Sequence, residues 1–360
     1  MNAFASGGGG FSNPNNDFLV ANPPNDSISQ IAFSPRTLQP KNFLVGGTWD
    51  NEARLWEINP DGSSNMLTST RHDGPILSVS WREDGQAVFT AGADRIVKMW
   101  DLAKNTAVTV AQHDEPIRCV EYVSEQAMNT PCIVTGSWDK SVRYWDVRAP
   151  SGQPMGVVPA PERVYAMASR GQMLVVGTAE RKLIVYDMRK PTTPFLEKDS
   201  QLKHQTRCIA TFPDSTGFAV GSVEGRVSID YVLEADIKAE KYFAFKCHRD
   251  TKNSNVYAVN SIAFHEEYST FATAGSDGGF CFWDKDSKSR LKEFNKVDQP
   301  ITSCCFNYDG KIFAYAVSYD WSKGAFEHNP AAKKPYILLH AVQDQEIKSR
   351  ERSSRQGTRR

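Results

Sequence analysis

The stretch Thr90-Ala-Gly-Ala-Asp-Arg-Ile-Val-Lys-Met-Trp-Asp101 places an acidic residue six positions before a Trp-Asp pair, and residues 135–146 repeat the arrangement as Thr-Gly-Ser-Trp-Asp-Lys-Ser-Val-Arg-Tyr-Trp-Asp. The same spacing relates six pairs along the chain: Asp50/Trp56, Asp94/Trp100, Asp139/Trp145, Glu180/Tyr186, Glu224/Asp230 and Asp277/Trp283. Successive second members lie 44, 45, 41, 44 and 53 residues apart. A period of about 40–45 residues that ends in Trp-Asp is typical of a WD-type β-propeller.

Each repeat contains the strand signals of one propeller blade. An alternating run ends in an aromatic residue, as in Val79-Ser-Trp81, and a second run ends in small residues, as in Ile133-Val-Thr-Gly136. The acidic residue then caps a turn by accepting backbone N–H bonds, and a third alternating run carries the Trp to one face of the sheet. We therefore interpret seven residues as structural repeat positions rather than as catalytic groups: Asp50, Asp94, Asp139, Asp277, Trp56, Trp100 and Trp145.

A seventh unit lacks the Trp-Asp signature but keeps its strands. Residues 301–317 give two strands, and residues 336–340 give a third after an insertion over residues 320–335. Residues 17–20 (Asp-Phe-Leu-Val) can supply the missing outer strand, which closes the ring. The sequence thus predicts an all-β fold in which residues 17–343 form a single seven-bladed WD40 β-propeller. A disordered Gly/Asn-rich N-terminus (1–16) and a disordered basic tail (344–360) flank it.

Two repeats and one interval depart from the pattern. Blade four has Tyr186 where the Trp is expected, and blade five has Asp230 beside Tyr231. Both keep the strand spacing and are interpreted as weak blades. The long interval before blade six indicates an insertion near residues 236–256, with a polar stretch at 249–255 that we expect to be an exposed loop.

Composition restricts the class of protein. Lys+Arg and Asp+Glu number 42 each, so an anionic partner must be held by local clusters rather than by the overall charge. The seven cysteines form no CxxC pair, which favours reduced thiols in a cytosolic or nuclear protein. No apolar run approaches the length that spans a membrane, and the Gly-rich start lacks the hydrophobic segment of a signal peptide, so we expect no entry into the secretory pathway.

Nothing in the motif content predicts an enzyme. The chain has no phosphate-binding GxxxxGK[ST] or GxGxxG loop and no GxSxG or HExxH motif. We therefore expect no catalytic residue, cofactor, metal site or small-molecule substrate. His72, His113 and His204 each precede the first strand of a unit, where a histidine can bond to the framework of its blade.

Two features point to recognition of another macromolecule. Trp49 and Trp138 directly precede turn acids, where we expect them to make contacts at the rim, although packing over their own hairpins is an alternative. Cations also follow the Trp of blade six, and segments of blade five add to that side. The candidate groove contains Arg226, Phe245, Trp283, Lys285, Lys288 and Arg290. Cations interleaved with aromatic rings suit an acidic peptide or single-stranded nucleic acid, and a solvated charge run is the alternative.

The chain resembles a known family over residues 17–342. The strings that carry the resemblance are Val45-Gly-Gly-Thr-Trp49, Thr135-Gly-Ser-Trp-Asp139, Phe245-Lys-Cys-His-Arg249, Phe282-Trp-Asp-Lys-Asp286 and Ser318-Tyr-Asp-Trp-Ser-Lys-Gly324. They are similar to the mRNA export factor family, nuclear-pore-associated WD-repeat proteins that bind the GLEBS segment of a phenylalanine-glycine-repeat nucleoporin. The last string is far more specific than a Trp-Asp pair.

The resemblance implies a non-enzymatic adaptor for mRNA export. It implies location in the nucleus and at the nuclear envelope and pore complex, with shuttling to the cytoplasm and a second role at the mitotic spindle. It also implies that the six groove residues named above hold acidic peptides and contact RNA, either messenger RNA or a ribonucleoprotein. The basic tail from Lys348 to Arg360 would then be a phosphate-contacting arm, a nuclear targeting signal or simply a solubilising tail.

Two alternative functions fit the same fold. One is the related spindle-checkpoint propeller, which binds GLEBS-like peptides of checkpoint kinases. The other is a substrate receptor of a ubiquitin ligase, which would need an additional ligase-docking surface. The strings at residues 245–249 and 319–324 favour the export factor over the checkpoint propeller.

Overall fold

Seven antiparallel four-stranded sheets surround a central axis in the computed structural model, which describes residues 11–148, 152–250 and 252–349. The innermost strands of successive blades contact one another in sequence order, and the first blade contacts the last, so the ring closes. The predicted all-β, seven-bladed propeller is confirmed.

The strands of each blade run in order from the axis outward. Blade one consists of Ile28–Phe33, Asn42–Thr48, Glu52–Ile58 and Ser64–Arg71, and blade two of Ile76–Trp81, Ala87–Gly92, Ile96–Asp101 and Thr106–Gln112. Blade three consists of Ile117–Val123, Cys132–Ser137, Ser141–Asp146 and Gly156–Pro159, and blade four of Val164–Arg170, Met173–Thr178, Lys182–Asp187 and Pro194–Asp199. Blade five consists of Thr206–Thr211, Gly217–Ser222, Arg226–Tyr231 and Phe243–Lys246, and blade six of Val259–Phe264, Phe271–Gly275, Phe280–Asp284 and Ser289–Glu293.

Blade seven joins the two ends of the chain. Its strands are Ile301–Phe306, Ile312–Val317, Tyr336–Ala341 and the N-terminal Phe18–Leu19, which pairs antiparallel with the third. The predicted closing strand is thereby confirmed. Such pairing removes the two free ends that an open ring of blades would leave.

Short helices and one small hairpin lie outside the blades. The α-helices are Glu125–Met128, Glu234–Lys238 and Asp344–Ile347, and the 3-10 helices are Arg36–Leu38 and Ala325–Glu327. The insertion before blade six is more ordered than expected. Residues 234–238 are helical, Phe243–Lys246 is the outer strand of blade five, and Arg249–Asp250 pairs with Asn255–Val256.

The predicted acidic turns have a common backbone geometry. The residue after each acid has a positive φ in all six units: Asn51, Arg95, Lys140, Arg181, Gly225 and Gly278, with φ between 61° and 74°. This left-handed residue bends the chain so that the carboxylate meets the second backbone N–H beyond it. Asp139 Oδ1 accepts from Ser141 N at 3.0 Å, and Asp277 Oδ1 accepts from Gly279 N at 3.2 Å.

Tight contacts between neighbouring blades explain the small residues that end the second strands. A Cβ atom on Gly47 would lie 2.7 Å from Ile76 of the next blade, and one on Gly136 would lie 2.6 Å from Val164. Seven apolar clusters among the described residues fill the seven blade interfaces. The core is therefore a ring of side chains between blades rather than one central mass.

Each innermost strand has a bulge near its start, and the bulges shape the axis. The register shifts leave one residue per blade unpaired: Ser29, Leu77, Arg118, Tyr165, Arg207, Asn260 and Thr302. All seven line a central cavity of about 530 Å³. Bulges often redirect side chains in this way.

Both predicted disordered ends are partly ordered, which corrects the expected limits. Phe11 packs on Tyr336 with ring centroids 5.6 Å apart, and Asn15 bonds with Asn295. At the other end, Ile347 is 1% exposed and packs on the core between blades six and seven. Phe11 and Ile347 gain stability by burying apolar surface, so the residues around them are held against the propeller. The rest of both predicted tails, residues 1–10 and 350–360, lies outside the described residues.

A search for membrane spans among the described helices found none of sufficient length and apolarity.

Candidate functional site: a cation–aromatic strip and a channel mouth

Three histidines bind the repeat framework, which accounts for the polar groups that most resemble catalytic residues. His72 lies 2.8 Å from both Asp94 Oδ2 and Thr90 Oγ1. His113 contacts Asp139 and Thr135 at 2.8 and 2.6 Å, and Trp145 Nε1 donates to the same threonine at 2.9 Å. Both ring nitrogens are bonded and the side chains are buried, so each histidine joins the second strand of its blade to the acidic turn of the same blade.

The third such histidine is His248, which the sequence analysis missed. It contacts Asp277 at 2.8 Å and Thr273 at 3.0 Å, while His204 is 61% exposed and lies 3.7 Å from Glu224. His204 thus lies beside the turn acid of its own blade, but its contact is exposed and longer than those of the buried histidines. His248 is hard to recognise from sequence because the insertion lengthens the distance between the histidine and the threonine that it contacts. That threonine, Thr273, begins the Thr-Ala-Gly-Ser-Asp string of blade six and follows His248 by 25 residues.

Phe243, Phe245, Trp283, Lys288 and Arg290 form a surface that we call the cation–aromatic strip. The rings of Phe245 and Trp283 lie 4.6 Å apart, and those of Phe243 and Phe245 lie 6.1 Å apart. Arg290 Cζ lies 6.0 Å from the Trp283 ring, and Lys288 Nζ lies 4.8 Å from the Phe243 ring.

Pairing within the two blades sets the strip in place. Phe245 belongs to the outer strand of blade five, opposite Val227, while Trp283 and Arg290 are paired on neighbouring strands of blade six. Trp283 Nε1 donates to Thr273 Oγ1 at 2.9 Å, which fixes the ring while leaving it half-buried. The aromatic faces are thus held by the fold, and the cations beside them are exposed. Such sites suit anionic ligands with flat or apolar groups.

The other two predicted groove residues have different environments. Arg226 is half-buried, opposite Lys246 on the sheet face away from Phe245, and its Nε lies 3.6 Å from Glu224. Lys285 is only 6% exposed; its Nζ donates to Asp286 at 2.9 Å and lies 5.2 Å from the Phe212 ring. The structure therefore brings four of the six predicted residues, Phe245, Trp283, Lys288 and Arg290, to one surface; Arg226 lies on the other face of blade five and Lys285 is buried.

Two further cation–aromatic pairs involve the outer strand of blade six and the residues that follow it. Lys292 Nζ lies 5.8 Å from the Phe294 ring, and Lys296 Nζ lies 5.8 Å from the Tyr257 ring. Phe243 and Lys296 were not predicted, whereas Lys292 belongs to the run of cations that follows Trp283. The signal for Lys292 is the alternation of cations with uncharged residues in Lys288-Ser-Arg-Leu-Lys292.

Trp49 and Trp138 lie at one mouth of the central cavity rather than on the outer rim. Trp49 packs on Trp321 with ring centroids 4.0 Å apart, while Trp138 is 38% exposed. Tyr319 lines the same mouth. Both tryptophans sit at turns that connect the second and third strands, and those turns open toward the axis. We call this aromatic group the channel mouth.

Two arginines line the cavity below the channel mouth. Arg207 bonds with Asn260 Oδ1 at 3.2 Å and with the Asp320 carbonyl at 3.1 Å, and Arg118 bonds with the Leu77 carbonyl at 3.2 Å. Burial, together with the charge of Arg118, lowers the pKa of Arg207. Deeper in the cavity, burial raises the pKa of Glu121 to about 7. Sequence analysis missed both arginines, although they occupy equivalent positions in blades three and five.

The cysteines and the histidine next to Cys247 are placed for structural roles rather than for reactivity. All seven cysteines are free, and burial raises the pKa of the Cys247 thiol well above its usual value. The neighbouring His248 uses both ring nitrogens on Asp277 and Thr273. Within the described residues, no group of three or more His, Cys, Asp or Glu side chains is placed to hold a metal ion.

Comparison with known proteins identifies the family. The WD domain, G-beta repeat family matches residues 64–101, 105–146 and 240–284. The chain is 47% identical to Protein Rae1 of Drosophila melanogaster, over 93% of this chain and 96% of that protein. The chain belongs to the mRNA export factor family. Members in Chaetomium thermophilum, called mRNA export factor GLE2, and in Danio rerio, called mRNA export factor, are 46% and 47% identical. These matches cover 93% and 94% of this chain and 93% and 92% of those proteins, so membership of the mRNA export factor family extends over the propeller as a whole.

Proposed function

We propose that this protein is a non-enzymatic adaptor in mRNA export, which binds a GLEBS segment of a nucleoporin and contacts RNA. The names of its relatives support the export role. The cation–aromatic strip is the observation that carries the binding role, because its half-buried rings are held in place by the fold and its cations Lys288 and Arg290 are exposed. Reactive groups that would suit catalysis are instead bonded within the framework.

The mechanism is docking of a flexible peptide on a stiff surface. An acidic peptide gains from the exposed cations Lys288 and Arg290, and its apolar anchors gain by burial against Phe245 and Trp283. A specific interface of this kind buries roughly 1,600 Å² in total, with a few anchors dominating the binding energy. Ordering the peptide opposes binding, so affinity depends on these anchors more than on area.

Binding to a GLEBS peptide tests the site. Trp283→Ala removes the central ring and Lys288→Glu reverses an exposed charge, so each is expected to weaken binding about tenfold or more, a loss of at least ~1.4 kcal/mol. Thermal unfolding checks that each variant stays folded. Trp138→Ala at the channel mouth is the matched aromatic control. If only Trp138→Ala loses the peptide, the strip is not its site and the channel mouth is.

RNA binding is tested by its dependence on salt. Contacts between cations and phosphates release counterions, so affinity falls steeply as salt rises. The double variant Lys288→Glu/Arg290→Glu is expected to reduce the slope of log K against log salt by about 1.4, which is 0.7 for each lost single-strand phosphate contact. Charge reversal at Lys104 and Lys203, both exposed and away from the strip, is the control. Salt-independent RNA binding would contradict the electrostatic mechanism.

We also propose that the protein acts at the nuclear pore, shuttles between nucleus and cytoplasm, and acts at the mitotic spindle. Family membership supports nuclear transport as the setting. A fluorescently tagged full chain is expected at the nuclear rim in interphase and on the spindle in mitosis. Uniform cytoplasmic fluorescence in a cell that exports mRNA normally would contradict it. Recovery of a checkpoint kinase or a ligase scaffold, without a nucleoporin, would favour the alternative functions.

A further inference from the structure

The last described residues of the chain are held against blade six by a few specific contacts. Residues 344–349, which we call the C-terminal segment, include the helix Asp344–Ile347. Ile347 is buried in the core between blades six and seven. Glu346 Oε2 lies 3.0 Å from His340 Nε2, and Ser349 Oγ donates to Asp284 Oδ2 at 2.6 Å.

The Ser349–Asp284 hydrogen bond is the outermost of these contacts and depends on an ionised carboxylate. Asp284 belongs to the Trp-Asp pair of blade six and is 3% exposed. Burial by itself raises the pKa of Asp284, but hydrogen bonds from Ser349, Ser287 and the Asp286 N–H hold it below the usual value. Among the described residues, no Lys or Arg forms a salt bridge with this carboxylate; the adjacent Lys285 pairs with Asp286 instead.

We propose that Ser349 is a phosphorylation site and that its modification detaches the C-terminal segment from blade six. Ser349 is exposed, and the sequence around it contains Lys348, Arg350 and Arg352, which suits a protein kinase with an acidic substrate groove. The kinase transfers the γ-phosphoryl group of ATP to Ser349 Oγ, which loses its proton, and ADP leaves.

Phosphorylation changes this contact from attraction to repulsion. The hydroxyl proton that Ser349 donates to Asp284 is lost, and a group of charge −1.5 to −2 at pH 7 takes its place. Two anions within a few ångströms, one of them buried and without a salt bridge, disfavour the docked state. The helix Asp344–Ile347 is a single turn with little stability of its own, so the repulsion at Ser349 has to be resisted by Ile347 and Glu346 alone.

Release of the segment has a consequence for RNA that rests on the proposed function. Ser349 is bonded to Asp284, which directly follows Trp283 of the cation–aromatic strip, and the sequence after Ser349 contains five arginines. Undocking removes this attachment of the C-terminal segment to blade six. Phosphorylation is then expected to lower RNA affinity, whereas the detachment itself is measurable without RNA.

Hydrogen exchange on the full chain tests the detachment. The amides of Glu346 and Lys348 report the docked helix, since they donate to Gln343 O at 2.9 Å and to Asp344 O at 2.8 Å. Protein with phosphoserine incorporated at position 349 is expected to exchange these amides about tenfold faster than the unmodified chain. Ser349→Ala loses the hydrogen bond without adding charge, so it is expected to show a smaller increase. Adding Asp284→Asn to the phosphorylated protein is expected to restore much of the protection.

Three outcomes would overturn the proposal. The first is equal protection of both amides in the phosphorylated and unmodified chains. The second is that Asp284→Asn, shown by thermal unfolding to be folded, does not restore protection. The third is mass spectrometry of protein from its native cells that finds Ser349 covered by the mapped peptides and never phosphorylated. Unchanged RNA affinity together with faster exchange would contradict only the RNA consequence, so it separates the two claims.

Discussion

At the scale of single residues, the repeat signature is a set of buried hydrogen bonds rather than a chemical site. His113 joins the inner edge of blade three to its acidic turn through Thr135 and Asp139. Replacement by Ala removes one buried partner from the Thr135 hydroxyl and one from the Asp139 carboxylate, which keep their bonds to Trp145 and Ser141. His113→Ala is therefore expected to lower the free energy of unfolding by about 2–4 kcal/mol, measured in denaturant. His204→Ala, at a 61% exposed side chain, should change it by no more than about 0.5 kcal/mol. Equal effects would contradict this account.

Residue identity and spacing predict which residues occupy the repeat positions, but they do not predict how buried every side chain is. Asp139 and Trp145 were assigned from their spacing, and their hydrogen bonds agree with it. Lys285 was assigned to the groove because it is charged and follows Trp283. The turn after this strand instead carries it inward, over the ring of Phe212. A linear pattern gives the face of a strand residue, whereas a residue in a turn can point either way.

At the scale of strands and blades, blade five shows how a weak repeat is stabilised. Asp230 occupies the position of the repeat Trp and is fully buried. Lys198 from the outer strand of blade four forms a salt bridge with it, and Gln201 and Ser228 donate hydrogen bonds at 2.8 Å. An interaction between two blades thus replaces the packing of an aromatic ring within one blade.

Removal of the cation at this junction gives a direct test. Lys198→Ala leaves the buried Asp230 carboxylate without its counter-charge and is expected to cost about 2–3 kcal/mol of unfolding free energy. Lys182→Ala is the matched control, because Lys182 is in the same blade and pairs with the exposed Asp199 at 3.1 Å. Its cost should be at most ~0.5 kcal/mol in the same denaturation measurement. A Lys198 variant as stable as the Lys182 variant would show that the salt bridge contributes nothing net.

Sequence patterns at this scale predict blades better than they predict insertions. Period-2 alternation placed the inner strands of the blades and the closing strand, because every blade buries the same face. The expected loop at 249–255 is partly a hairpin, and no periodicity could show this because its strands have two residues each. The cation–aromatic strip was located in outline, since its members lie in strands of neighbouring blades. The cavity arginines were missed because a bulge, which sequence does not reveal, turns them toward the axis.

At the scale of the whole molecule, one buried cluster joins both ends of the chain. His340 Nδ1 lies 2.7 Å from Asp17 Oδ1, beside the closing strand, and His340 Nε2 lies 3.0 Å from Glu346 Oε2 in the C-terminal segment. Tyr315 donates to the second oxygen of Asp17 at 2.6 Å. Ring closure and docking of the C-terminal segment therefore share a titratable group. The protonation of His340 should affect both.

The pH dependence of stability tests this coupling. Burial alone lowers the pKa of His340, but the hydrogen bonds and charges of Asp17 and Glu346 outweigh it, and the pKa is raised above 6.5. A raised pKa gives stability that is complete below the unfolded value, about 6.5, and is lost as pH rises through the folded value. The difference in unfolding free energy between the wild type and His340→Gln should therefore shrink as pH increases from about 6 upward.

His113 provides a control of opposite sign for that measurement. Burial lowers the pKa of His113, and the hydrogen bond and charge of Asp139 only partly offset this effect. Its neutral form is favoured in the folded protein, so its contribution is present above the unfolded pKa and is lost as pH falls through the lowered one. The difference between the wild type and His113→Gln should therefore grow as pH increases, measured by urea unfolding at each pH. If both differences change in the same direction, the pH dependence arises elsewhere and His340 is not a charged link between the chain ends.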